Sequence, residues 1–130
     1  MMDFSVFTQL NDQQEGLIIQ CSLDERFSPP AGILSFEGIL DHSNTIEFAE
    51  AVMEFFGGEW EEHPLILELS GLQYISSSGI GSFTTIRVQA DHKSSPLYLL
   101  NMNTKIRTVF DQLGFSSFFE IIDDLQEILA

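Results

Sequence analysis

The sequence predicts a single α/β domain in which a mixed, mostly parallel β-sheet is flanked by about four α-helices. The chain has 130 residues, of which 44% are hydrophobic, so it can bury one sizeable core but is too short for two domains. Strand-like and helix-like segments alternate after a first hairpin, as they do where helices join parallel strands. The run Leu65–Leu69 is nearly all apolar and lies between Pro64 and Gly71, which is typical of a buried parallel strand.

The other strands are predicted from alternating or β-branched apolar residues between turn residues. The predicted strands are Gly16–Ser22, Ile33–Leu40, Leu65–Leu69, Leu97–Leu100 and Phe118–Ile122. The pattern from Phe4 to Thr8 indicates an additional strand, within an N-terminal stretch of residues 1–15 that forms either an extra strand or an arm.

Apolar residues at helical spacing predict a first helix after the turn at residues 41–44. Asn44 and Glu47 have the spacing of a capping box, and Gly57-Gly58 is a stop signal. The inward stripe of this helix is expected to be Ile46, Ala49, Met53 and Phe56, with Phe48, Val52 and Phe55 beside it.

Three further helices complete the pattern. The second begins at residues 76–79, and its inward residues are expected to be Ile80, Phe83, Ile86 and Ala90. Thr104 is expected to cap the third helix, and Gly114 to end it. Its inward residues are expected to be Ile106, Val109, Phe110 and Leu113. Asp123 with Gln126 is expected to cap a final helix.

The charge balance limits the kinds of partner. Twenty acids against five bases give a formal net charge of −15, which disfavours binding to nucleic acid or to an anionic membrane. From Phe27 to Ile86 there are nine acids and no Lys or Arg. This acidic stretch either keeps the protein soluble or steers a basic partner towards it.

Three features indicate a cytoplasmic protein. Cys21 is the single cysteine, which excludes an intrachain disulfide framework and fits a reducing compartment. No apolar run approaches the roughly 20 residues that span a bilayer, so no membrane insertion is expected. The first residues, Met1 to Phe4, lack the basic start and apolar stretch of a secretory signal. The oligomeric state is left open by the sequence.

Motif spacing argues against several chemistries. The pair Gly79 and Gly81 lacks the Lys of a phosphate-binding loop, and Thr84 stands where a dinucleotide fingerprint has its third Gly. The three histidines are far apart and the cysteine has no companion, so neither a metal nor another cofactor is expected.

A serine hydrolase is a remote alternative. Ser77, His42 and Asp41 follow two strands whose ends could converge, and they are the residue types of a catalytic triad. However, Asp41 and His42 are adjacent in the chain, so their side chains are expected to point apart, and no oxyanion hole is recognisable. We therefore expect a protein that is not an enzyme.

The segment Ser76–Gly79 between a strand and a helix allows two interpretations. In the first, one serine caps the helix and the glycine lets the chain turn. In the second, a serine at the helix N-terminus accepts a phosphoryl group, since free backbone N–H groups and the helix dipole stabilise negative charge there. The added charge would convert a neutral contact patch into one that repels an acidic or apolar partner.

Four segments in order are similar to one known family. Residues 36–42, FEGILDH, are similar to a family strand that ends in G-x-[LI]-D. Residues 65–81, LILELSGLQYISSSGIG, are similar to a signature in which an apolar strand precedes Asp-Ser-[ST]-Gly-[LIV]-Gly. Residues 106–114 and 118–129 resemble the family's third helix and its closing strand and helix. Over about residues 33–130 the chain thus resembles the STAS domain of anti-sigma factor antagonists and sulfate transporter tails.

The resemblance implies a binding protein without catalytic machinery. Family antagonists bind an anti-sigma factor that is also a serine kinase, and this binding frees the sigma factor. Phosphorylation of the serine after the signature Asp releases the antagonist. That serine corresponds to Ser77, with Ser76 and Ser78 as fallback acceptors. The implied contact surface comprises Asp41, His42, Ser43, Ser76, Ser78, Gly79, Ile80 and Ser82.

The chain departs from the family pattern at one position of the signature. Ser76 stands where the family usually has Asp, and that Asp is expected to help position the acceptor. The alternative implied by this departure is a STAS scaffold or sensor module that acts in a signalling or transport assembly without being phosphorylated.

Overall fold

A five-stranded sheet forms the centre of the protein, whose computed structural model describes residues 2–58 and 60–129. The strands are β1 Leu17–Asp24, β2 Ala31–Leu40, β3 Leu65–Ile75, β4 Leu97–Leu100 and β5 Glu120–Ile122, and they lie side by side in that order. β1 and β2 form an antiparallel hairpin, whereas β2 to β5 are parallel neighbours. The predicted mixed, mostly parallel sheet is confirmed.

Four helices contribute to one core on a single face of this sheet. They are α1 Ser5–Gln13, α2 Thr45–Phe56, α3 Ser77–His92 and α4 Thr104–Gln112. Alternate strand residues point to the other face, where a smaller apolar cluster of Ala31, Ile66, Leu100 and Ile122 lies under the C-terminal segment. The predicted number of helices is confirmed, but two of the predicted elements are wrong.

The first wrong prediction is the strand from Phe4 to Thr8, because this stretch begins α1. One face of that helix is buried and carries Val6, Phe7 and Leu10. The helical spacing of these apolar residues therefore determines the structure, rather than the short apolar–polar alternation. The second is the last helix, which is only a 3₁₀ turn at Leu125–Glu127. Asp124 rather than Asp123 caps it, together with Glu127.

α1 protects the outer edge of the sheet through two side-chain amides. Asn11 Nδ2 donates to the Ile19 carbonyl and Asn11 Oδ1 accepts from the Ile19 N–H, both at 2.8 Å. Gln14 makes the corresponding pair of hydrogen bonds with Leu17. Unpaired backbone N–H and C=O groups on an edge strand invite pairing with another chain. The two amides occupy these groups over half of the edge strand β1 and so protect it.

α2 is rotated relative to its prediction. Phe48, Val52 and Phe55 point inward, whereas Ile46 and Met53 of the predicted stripe are 69% and 49% exposed. Apolar residues cover more than half of the circumference of this helix, so the sequence allows different parts of that arc to be buried. The predicted capping box is also absent, because the Asn44 side chain makes no cap hydrogen bond.

Several further boundaries differ from the prediction. β3 continues past Gly71 to Ile75, and its pairing with β2 extends to that residue with two register irregularities on the way. The cap of α4 is Asn103 rather than Thr104, and its Oδ1 accepts from the Ile106 N–H at 2.9 Å. In α4, Leu113 was expected to point inward but is 45% exposed.

The helical face is held together by a chain of aromatic contacts. Phe83 of α3 is fully buried, as predicted, and its ring lies 5.4 Å from Phe36, 6.3 Å from Phe48 and 6.2 Å from Phe110, measured between centroids. It therefore links β2, α2, α3 and α4.

We expect Phe83→Ala to lower the free energy of unfolding by about 3–5 kcal/mol, since it removes a buried aromatic ring and leaves a cavity. Urea unfolding followed by circular dichroism measures the change. Val88→Ala is the control on the same helix, because Val88 is 45% exposed, and it should change stability by less than about 0.5 kcal/mol. Equal effects of the two substitutions would contradict this placement of α3.

Candidate partner-binding site

The turn after β2 is a rigid loop built around Asp41 and Asn44. Asp41 Oδ1 accepts from the Ser43 N–H at 2.9 Å and from the Ser43 hydroxyl at 2.6 Å. The Asn44 side chain is buried; its Oδ1 accepts from the Asp41 N–H at 3.0 Å and its Nδ2 donates to the Ile39 carbonyl at 2.8 Å. These bonds fix the backbone from which His42 and Ser43 extend into solvent.

The Asn44 amide also connects this turn to the N-terminal helix. Asn44 Nδ2 lies 3.3 Å from Gln14 Oε1, the atom that also accepts from the Leu17 N–H. The end of α1 and the edge of the sheet thus support the turn from behind.

The start of α3 lies beside this turn because the two are joined by the backbone. The Ser76 N–H donates to the Leu40 carbonyl at 3.0 Å, which continues the pairing of β2 with β3 by one residue. Ser76 is the N-cap of α3, and its Oγ accepts from the Gly79 N–H at 3.1 Å. A serine thus supplies the oxygen acceptor that the cap of this helix requires.

Gly79 allows the helix to approach the sheet this closely. A Cβ on Gly79 would lie 2.7 Å from Ile75 Cγ1 and 3.0 Å from the Leu40 carbonyl oxygen. Any side chain would therefore push α3 away from the end of β2. By contrast, a Cβ on Gly81 would meet nothing within 4 Å.

The three serines have different environments. Ser76 and Ser78 lie with their hydroxyl oxygens 2.8 Å apart, and Ser76 Oγ is also engaged in the cap. Ser77 is exposed at the first position of α3, and the hydrogen bonds among the described residues include none to its hydroxyl. Ser77 is therefore the serine of the three whose oxygen is accessible and unengaged.

The charged groups at this end of the sheet include the Asp41 carboxylate and the Lys105 ammonium, which lines a cavity with Gln73 of β3. The hydroxyl and the N–H of Ser43 hold the pKa of the Asp41 carboxyl below its ordinary value, so Asp41 is ionised at neutral pH. The first turn of α3 contains no acidic residue, and its free N–H groups present the positive end of the helix dipole. An anionic group at Ser77 would therefore lie at the positive end of this dipole.

Not all of the predicted contact residues reach the surface. Asp41 is half-buried, and His42, Ser43 and Ser78 are exposed, whereas Ile80 is fully buried and Ser82 is 8% exposed. Gly79 is buried against Leu40. Any contribution of Gly79, Ile80 and Ser82 to a partner contact would therefore be indirect, through the shape of the α3 N-terminus.

Two apolar residues beside the site were missed by the sequence reasoning. Ile39 and Tyr74 are paired across β2 and β3, and they are 38% and 49% exposed. The signal was the stretch between Gly71 and Ser76, which continues β3 and carries Tyr74 to the same edge as Ser77. Their chain neighbours Leu40 and Ile75 are buried in the core under the helices, so Ile39 and Tyr74 point to the opposite face of the sheet.

The catalytic triad considered from the sequence is not assembled. Asp41 accepts hydrogen bonds from Ser43, and no hydrogen bond among the described residues joins Asp41 to His42 or His42 to Ser77. The residues 2–58 and 60–129 also contain no group of three or more His, Cys, Asp or Glu side chains placed to hold a metal ion. None of the helices described is long and apolar enough to cross a bilayer.

Comparison with known families decides what kind of domain this is. The STAS domain family matches residues 22–128, which is most of the chain. The protein belongs to the STAS domain family. α1 lies before the matched region. No sequence match to a curated protein reaches significance.

Several solved structures with the same fold are described as anti-sigma factor antagonists. A putative anti-sigma factor antagonist from Thermotoga maritima superposes with a TM-score of 0.68 at 17% identity, covering 85% of this chain and 90% of that one. An anti-sigma factor antagonist from Mycobacterium paratuberculosis gives 0.70 at 12% identity, covering 87% and 91%. The Bacillus cell fate determinant SpoIIAA in its phosphorylated form gives 0.59 at 19% identity, covering 85% and 96%. At these identities the likeness shows the fold.

Gly79→Ala should destabilise this STAS domain by about 1–3 kcal/mol, because the added methyl overlaps Ile75 and approaches the Leu40 carbonyl. Gly81→Ala is the matched control two residues along the same helix. It should stabilise the protein by about 0.5–1 kcal/mol, since alanine favours the helix and its Cβ is free. Thermal or urea unfolding of both variants is the measurement, and a stabilising Gly79→Ala would contradict the close approach of α3 to β2.

Ser76→Ala should cost about 0.5–2 kcal/mol of stability, because the Gly79 N–H loses its cap. Ser76→Asp should keep most of the stability, since a carboxylate caps the helix equally well. Ser77→Ala is the neighbouring control and should change stability by less than about 0.5 kcal/mol. If Ser77→Ala were as destabilising as Ser76→Ala, the assignment of the cap to Ser76 would be wrong.

Proposed function

We propose that this STAS domain is an anti-sigma factor antagonist, which binds an anti-sigma factor with serine kinase activity and is switched off by phosphorylation of Ser77. In this proposal the unphosphorylated form binds the anti-sigma factor and thereby frees a sigma factor in the cytoplasm. The observation that carries the proposal is the exposed, unengaged Ser77 hydroxyl at the first position of α3. The description of SpoIIAA, a fold neighbour, in both an unphosphorylated and a phosphorylated form supports it.

The position of Ser77 favours a switch that acts through charge. A phosphoserine carries roughly −1.5 to −2 charges at neutral pH. At the N-terminus of α3 this charge interacts favourably with the helix dipole and with free backbone N–H groups. The helix is therefore expected to stay folded after phosphorylation, and only the surface presented to the partner changes.

The surroundings of Ser77 would leave this charge exposed. Asp41 and its turn lie beside the α3 N-terminus, and the chain from Phe27 to Ile86 contains no Lys or Arg. A partner surface that tolerates a neutral hydroxyl at the start of α3 would then meet an anion. Like-charge contacts and buried unpaired charges oppose association, which gives the phosphate its effect.

Ser76 is compatible with this role although the family usually has Asp there. Ser76 caps α3 through its hydroxyl, so it supplies the structural part of what an Asp would do. The engagement of Ser76 and Ser78 with each other leaves Ser77 as the preferred acceptor, with the other two as fallback acceptors.

The second candidate is a STAS scaffold or sensor module that binds its partner without being phosphorylated. It is favoured by the absence of the signature Asp, since Ser76 lacks the charge that is expected to help position the acceptor serine and the partner. The two candidates differ in one measurable respect, which is whether charge at Ser77 alters partner binding. In neither candidate does the domain act as an enzyme.

The decisive experiment compares partner capture by wild type, Ser77→Ala and Ser77→Asp from lysate of the source cell. Under the antagonist proposal, wild type and Ser77→Ala retain a protein with a histidine-kinase-like ATPase domain, and Ser77→Asp binds it at least tenfold more weakly, which is about 1.4 kcal/mol. Ser5→Asp is the matched control, because Ser5 is an exposed serine at the first position of α1.

Phosphate transfer is then measured with the purified partner and ATP. Incorporation into wild type that disappears in Ser77→Ala supports Ser77 as the acceptor. Retention of the same partner by Ser77→Asp with unchanged affinity would refute the switch and favour the scaffold or sensor. Equal loss of binding in Ser5→Asp would show a general effect of charge rather than a site at α3.

A further inference from the structure

The outer face of α2 carries an apolar stripe whose two large side chains are exposed and whose third residue, Ala49, is partly buried. Ile46, Ala49 and Met53 follow one another at intervals of three and four residues and therefore lie along one side of the helix. Ile46 is 69% exposed, more than any other large apolar side chain of the described residues, and Met53 is 49% exposed. Single exposed apolar residues are ordinary, but a helical row of them is typical of a contact surface.

The charges beside this stripe are all of one sign. Glu47, Glu50 and Glu54 lie on the same helix, and none of them is in an ion pair within the described part of the chain. A small cavity of about 80 Å³ lies between α1 and α2. The three glutamates line it from α2, and Gln9 and Gln13 line it from α1. The surface is thus an apolar row with an acidic border.

This arrangement does not serve the stability of the helix. Glu47 and Glu50, and Glu50 and Glu54, are like-charged pairs at helical spacing, which repel each other. Glu54 also lies in the last turn, where a negative charge opposes the helix dipole and no basic residue compensates it. A cationic surface placed against α2 would remove these unfavourable interactions while covering the apolar row.

We propose that this outer face of α2 docks a basic amphipathic helix of a protein partner. The partner helix would place its apolar residues on Ile46, Ala49 and Met53 and its Lys or Arg side chains against Glu47, Glu50 and Glu54. A second copy of this chain fits the surface less well, since each copy carries a net charge of −15. The proposal concerns a surface other than the α3 N-terminus and requires no phosphorylation of Ser77.

The test uses the full chain labelled with ¹⁵N and three synthetic peptides of 18 residues. The first is an amphipathic Leu/Lys helix, the second has the same charge with Ser replacing Leu, and the third is a Leu/Glu helix. The Leu/Lys peptide should shift the amide resonances of α2 and bind at least tenfold more tightly than either of the other two. Equal affinity of the Ser/Lys peptide would overturn the proposal, because it would show attraction by net charge alone.

Surface variants then locate the binding. Met53→Ser and Glu50→Lys should each weaken the Leu/Lys peptide at least fivefold, and circular dichroism checks that both variants fold. The matched controls are Val88→Ser, an exposed apolar residue on α3, and Glu37→Lys, an exposed acid on β2, which should stay within twofold of wild type. Equal effects in the controls, or a wild-type dimer that Met53→Ser dissociates in sedimentation experiments, would refute a basic partner at α2.

Discussion

The candidate site depends on one backbone hydrogen bond, from the Ser76 N–H to the Leu40 carbonyl. This bond is the last rung between β2 and β3, and it sets where β2 ends, where α3 begins and how far apart the two are. The absence of a side chain at Gly79 lets the helix follow the bond closely, and the cap at Ser76 begins the helix there. The Asp41 turn and Ser77 are neighbours because the parallel pairing of two strands brings them to the same edge.

The sequence predicted an element correctly where a single apolar face and a clear start signal determined it. α3 was predicted with its inward residues because Ile80, Phe83, Ile86 and Ala90 leave one apolar face and the serines supply an unambiguous start. The inward face of α2 was predicted wrongly because apolar residues cover more than half of its circumference, and aromatic packing against Phe36 and Phe83 selects the buried part. Such packing is tertiary and leaves no local signal.

In the site, too, local chemistry was predictable from the sequence and tertiary packing was not. The serines and the Asp41 turn were identified from local chemistry and from the resemblance to STAS domains. The exposure of Ile39 and Tyr74 was not identified, because it depends on the continuation of β3 past Gly71, which was expected to end the strand. The burial of Ile80 likewise depends on how closely α3 lies against the sheet, which the spacing of residues does not reveal.

Gln14, at the end of the short helix α1, connects two parts of the structure. Its amide oxygen is shared between the Leu17 N–H on the edge of the sheet and the Asn44 amide behind the Asp41 turn. Protection of the sheet edge and support of the recognition turn are consequently tied to one atom, in a segment that the family match does not include. Any substitution of Gln14 would therefore change a hydrogen bond at the edge of the sheet and one behind the turn together.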